Sequence, residues 1–283
     1  MLTGRELIHA LLVPVLVAGL VTTIGRWRRW PWAMPVAAGA GFLAGYGLLG
    51  LPALPPRDGT DWLFWLTIPL ALLGVVEATF SRRWSWIFGA AAAGLIALVL
   101  LLPLMRVGSV PPASAWATIL ALAAFAAGVV LMLRFAIDRL GPVATLAGLC
   151  ITVGGAGVIV MSSNLRIVGI YGLAAAAALA PVALLSRDLR AARGVSLFAT
   201  ALVAGLLVAG RYYPDPGVTW THFILVLAAP LLLPVAAIVP MKRHGLRAVI
   251  AVVAVTVFIG AIVVPSALAA KKAAESDPYE AYR

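Results

Sequence analysis

The 283-residue chain is 63% hydrophobic and only 11% charged, whereas soluble domains carry about a quarter charged residues. With a mean hydropathy of +1.07, that excludes a soluble globular fold: only a bilayer can solvate so much apolar surface. The net charge of +11 does not point to nucleic acid, because the basic residues fall in short runs between apolar stretches and not on one clustered face.

A helix needs about 20 mostly apolar residues to cross the hydrocarbon core, and ten such runs follow one another along the chain. The first, 7–24, carries His9 and reads as a true span. Its flank holds Arg5 and Glu6 instead of a basic run, and no small-residue cleavage site precedes the arginines. Arg26, Arg28 and Arg29 then lead into the second run, 33–54, where Ala37, Gly41 and Gly45 form a stripe of small residues. The third, 61–80, contains Pro69 at its middle and Glu77 in its last turn. Arg82 and Arg83 precede the fourth, 86–105, with Ala90 and Gly94. The fifth, 115–137, carries Ala124 and Gly128 and ends near Arg134 and Asp138.

The sixth run, 142–162, holds the single cysteine, Cys150, and the smooth patch Gly154-Gly155-Ala156-Gly157. One cysteine offers neither a disulfide framework nor a cysteine-based metal site. The seventh, 167–185, is followed by the eighth, 194–210, the shortest and weakest of the ten. The ninth, 219–239, places His222 near one end and Pro230 and Pro234 at its middle. The tenth, 248–269, leads into a polar tail, 270–283, expected to be disordered. The fold class is therefore all-α: a polytopic transmembrane helix bundle, one domain over 1–269, with spans joined by short loops.

Arginine and lysine set the orientation. One set of alternate loops holds 13 basic residues, from Arg26 to Arg247, and the other holds only Arg57, Arg106, Arg166 and Arg211. The positive-inside rule places the first set in the cytoplasm and both termini outside. The nine tryptophans agree independently, since each lies near a span boundary, as an interfacial aromatic belt requires. The frequency of Arg over Lys suggests a bacterial source and hence a bacterial cytoplasmic membrane.

Several positions could carry function, and each has a plainer structural reading. Glu77 reads as an interfacial carboxylate answering Arg82 and Arg83. Arg134 and Asp138, four apart on one helix face, read as a local pair with a snorkelling arginine. His9 and His222, both near outer span ends, would suit a metal or pH-sensing pair, but no Asp, Glu or Cys accompanies them at ligand spacing. Pro230 and Pro234 remove helix hydrogen bonds, and broken helices often line transporter sites, which makes the ninth span the favoured functional helix. The small-residue stripes allow close helix approach, within this chain or between copies or partners. Pro56 to Trp62 resembles Pro214 to Trp220, a likeness that common turn and interface chemistry explains as well as internal duplication does.

No zinc-binding His-Glu-x-x-His pattern, nucleophile elbow or phosphate loop occurs, and neither Ser196 nor Ser266 has sequence context for a Ser/His site. The sequence thus implies no cofactor and no enzyme. Its partners are membrane lipids, with anionic head groups at the cytoplasmic arginine loops, and homo- or hetero-oligomer contacts. In size and span count alone the chain resembles the drug/metabolite transporter superfamily, whose termini are cytoplasmic and whose half-chain repeat has no counterpart here. A transporter for a small solute, without carboxylate-based ion coupling, leads as the functional expectation. A non-catalytic scaffold subunit is the alternative, and a membrane enzyme the second alternative.

Overall fold

The computed structural model describes residues 4–49, 56, 61–79, 84–163, 165–214, 217–240 and 243–275, and among them every regular element is helical. In chain order these are α1 (Gly4–Trp27), α2 (Ala33–Leu49), α3 (Asp61–Thr79), α4 (Ser85–Val107), α5 (Pro112–Leu140), α6 (Pro142–Ser162), α7 (Arg166–Leu185) and α8 (Leu189–Tyr212). The ninth crossing, Trp220–Ile238, is divided into α9 (Trp220–Ala228), a 3-10 turn (Ala229–Leu231) and α10 (Leu232–Ile238). The tenth is α11 (His244–Glu275). Among the described residues, nine of the ten helical runs are long and apolar enough to span a bilayer, and α2, at 17 residues, is shorter. The chain is an all-α bundle with the architecture of a multi-pass membrane protein. α11 runs on to Glu275, into the stretch expected to be a disordered tail, while 276–283 lie outside the described residues.

The run that looked weakest in the sequence forms the centre of the molecule. α8 packs on α2, α3, α4, α5, α6, α7 and α9, and 94% of its span is buried. Its composition follows from that position. A helix surrounded by protein needs small side chains for close approach, not the bulky aliphatic groups that face lipid. Gly194 of α8 and Gly74 of α3 bring two backbones together: a Cβ on Gly74 would sit 2.8 Å from the Gly194 carbonyl oxygen. Gly157 and Gly172 do the same where α6 crosses α7, with Gly169 O 2.8 Å from the position a Gly157 Cβ would take.

The remaining small-residue stripes divide into two kinds. Gly41 and Gly45 of α2 lie against Pro14 and Ala18 of α1 and Ala174 and Ala178 of α7, so that stripe is satisfied within the chain. Ala124 and Gly128 of α5 face outward, and a Cβ on Gly128 would meet nothing within 4 Å. α1 and α11 lie at the edges, with 28% and 22% of their spans buried. Trp27, Trp30, Trp32, Trp84, Trp86, Trp116 and Trp220 are all exposed, which suits groups that sit where a bilayer meets water.

Proline acts differently from site to site. Pro14, Pro69, Pro103, Pro181 and Pro265 lie inside uninterrupted helices. Among the described residues, only at Pro230 does the helix tighten into a 3-10 turn. Pro230 and Pro234 stand four apart, so two successive rungs of the same hydrogen-bond ladder lack an N–H donor, and the chain closes that gap with shorter-range bonds.

Candidate functional site

The contacts gather the loops into two ends. The α1–α2 and α7–α8 connections share a cavity, the ends of α3 and α5 join through an ion pair, and α5 reaches the start of α8 through another. The start of α11 packs beside Leu140 and Val143 at the α5–α6 junction. All the arginine-rich connections with described residues therefore converge on one end of the bundle.

That basic end holds a buried cluster of polar and charged side chains. Glu77, 2% exposed, accepts a hydrogen bond from Ser85 at the start of α4 and an ion-paired hydrogen bond from Arg134 Nη2 at 2.7 Å. Arg134 is itself 5% exposed. One carboxylate oxygen, Glu77 Oε1, thus ties together α3, α4 and α5. The expected interfacial role of Glu77 is corrected: the side chain turns inward, and Arg82 and Arg83 lie outside the described residues. The expected snorkelling Arg134 is corrected too, because its partner is Glu77, 57 residues away. Asp138, one turn further along α5, pairs with Arg193 of α8 at 2.9 Å, in a more exposed setting. Charges this deep need a partner, and proximity on one helix face does not reveal which partner folding will supply.

At the opposite end hydroxyl and aromatic groups join the helices, and Arg211 Nη1 donates to Val218 O at 3.2 Å and lies over the Trp220 ring. Tyr213 Oη donates to Leu100 O at 2.7 Å, and Tyr212 Oη lies 2.8 Å from Thr118 Oγ1. Tyr46 stacks on Tyr171 with ring centroids 3.6 Å apart, and Phe42 and Phe64 pack around them. His222 links α9 to α11: its Nδ1 is 2.8 Å from Thr219 Oγ1 and its Nε2 is 3.1 Å from Ser266 Oγ. Ser266 therefore does have a His neighbour, 44 residues away, which corrects the reading that it stands without such context.

Ser266 Oγ also reaches Ile262 O, at 2.9 Å, and Thr219, the N-cap of α9, accepts from the His222 backbone N–H at 3.3 Å. Which ring nitrogen carries the proton sets the direction of the two His222 side-chain bonds, and in either tautomer the imidazole bridges the start of α9 and the far end of α11.

The other candidates stay apart. His9 lies on α1, its side chain outside the described residues, and α1 packs on α2 and α7 while α9 packs on α8, α6 and α11. Pro230 and Pro234 are buried within the ninth crossing. Among the described residues, no three His, Cys, Asp or Glu side chains gather as metal ligands. Sequence reasoning missed Ser85, Arg193 and Thr219 and set Ser266 aside, all common residue types whose roles arise only from tertiary packing. No family model, curated protein or solved structure matches the chain.

Proposed function

We propose that the chain is a non-catalytic scaffold of the bilayer, a self-packed body whose lateral faces serve assembly. The observation that carries this reading is α8. Where a conduit would place a water-lined axis, a helix of Ala, Gly, Leu and Val fills the space. Its interior hydroxyls are spent on its own backbone, Ser196 on Arg193 O and Thr200 on Ser196 O, each at 2.8 Å. The outward Ala124/Gly128 face of α5 supplies a surface suited to close helix approach. In the same reading the basic end faces the cytoplasm of a bacterial cell and contacts anionic lipid, with both termini on the other side.

Cysteine cross-linking in intact membranes tests the proposal. In a Cys150→Ala background, Gly128→Cys should trap a higher-mass adduct, while Ala201→Cys on buried α8 should not. Monomer alone at position 128, together with saturable solute uptake by proteoliposomes, would overturn it. Transport of a small solute is the second reading, favoured by the 3-10 break at Ala229–Leu231. It predicts a flux that replacing Pro230 and Pro234 by alanine abolishes.

A further inference from the structure

A cavity of about 370 Å³ lies where the α1–α2 connection meets the α7–α8 connection, lined by Arg26, Arg29, Arg187, Trp30 and Asp188 among others. That volume is at the small end of ligand sites, which run from about 300 to 1,000 Å³. It suits a head group better than a large solute. Three arginines and one aspartate line it, and Asp188 already caps α8 by accepting from the Arg190 backbone N–H at 2.8 Å. None of the three arginines makes an ion pair or side-chain hydrogen bond among the described residues. Trp30, exposed and stacked on Trp32 with centroids 4.9 Å apart, sets the cavity at the level where a bilayer meets water.

The backbone adds an independent observation. α1 ends in a Schellman motif, with Trp30 N–H bonded to Gly25 O at 2.8 Å and Arg29 N–H to Arg26 O at 3.1 Å. The residue after the cap in this motif adopts left-handed geometry and is usually glycine. Here it is Arg29, at φ 57°, the one non-glycine residue of positive φ among those described. An arginine occupies a position that glycine would fill without steric cost, and its side chain lines the cavity. Strain of this kind gathers at ligand sites.

We propose that this cavity binds a phosphate ester head carrying two negative charges, through Arg29, Arg26 and Arg187, with Trp30 against the adjoining ester. Arginine is suited to it because its planar fork bonds two phosphate oxygens at once. Two such charges are carried by the paired phosphodiesters of a cardiolipin head group or by the single phosphate of a soluble phosphomonoester. The inference stands on the cavity alone and is independent of the scaffold reading.

The test uses full-length protein in phosphatidylcholine nanodiscs doped with cardiolipin, with lipid retention read by native mass spectrometry. Wild type should retain cardiolipin over phosphatidylcholine, and Arg29→Gly and Arg187→Gln should each lower that preference about tenfold. Arg243→Gln, which removes a charge from another connection, should leave it unchanged. Arg29→Gly also guards against misfolding, since glycine is the residue the motif accepts most readily, and its melting temperature should not fall. Displacement of the lipid by millimolar glycerol phosphate would identify a soluble phosphomonoester as the ligand, and no displacement would identify the lipid. Equal retention by wild type, Arg29→Gly and Arg187→Gln would overturn the site, as would an equal loss in Arg243→Gln.

Discussion

The two ends of this bundle hold the same helices together by different chemistry. At the basic end, Glu77 joins three helices through one carboxylate oxygen, with Arg134 as its ionic partner. At the other end Tyr213, Tyr212, Thr118, His222 and Ser266 do comparable work with hydroxyl, phenol and imidazole hydrogen bonds. The difference follows from the loops. Arginine is concentrated in one set of connections, and a guanidinium drawn into the protein at that end needs a carboxylate, because an uncompensated buried charge is costly. At the end poor in arginine, half-buried Arg211 is met by the Val218 carbonyl and the Trp220 ring, beside aromatic stacking and hydroxyl groups.

The largest test of this contrast is the buried pair. Glu77→Met or Arg134→Met alone should destabilise the protein by about 3–5 kcal/mol, read from unfolding midpoints in mild detergent. The double variant should lose clearly less than either single one, because it removes both charges together. Tyr213→Phe should come next, at about 1 kcal/mol. It deletes one hydrogen bond without stranding a charge, so its effect should be insensitive to salt. Asp138→Asn should be smallest, about 0.2–1 kcal/mol, and should shrink further at high ionic strength, because the Asp138–Arg193 pair is partly exposed. If Tyr213→Phe proved as costly as the Glu77 variant, the distinction between the two ends would collapse.

How much of this was legible depended on whether the signal was periodic or tertiary. The spans, and the meeting of alternate loops at one end, follow from apolar run length and arginine spacing, both properties of contiguous sequence. The 3-10 break follows from two prolines four apart. The importance of α8 was hidden because hydropathy measures preference for lipid, and a helix wrapped in protein has no need of it. Arg193 and Gly194 lowered its apolar score, yet one pairs with Asp138 and the other lets α3 approach. The partners of Glu77 and of His222 were illegible for a related reason: they lie 57 and 44 residues away, and only helix packing chooses them. Arg29 looked like one more charge in a basic run until the end of α1 placed it in left-handed geometry.

The measurement that bears most directly on the central claim, a solid core around α8, is water access along that helix. Single cysteines at Ala199, Ala201, Ala204 and Val208, in a Cys150→Ala background, would be exposed to a hydrophilic maleimide in the folded protein and again after denaturation. All four positions are buried, so none should label until the protein unfolds, while a cysteine at exposed Ser109 should label at once. Labelling of folded protein at positions three to four residues apart would reveal a water-lined face on α8 and contradict the account.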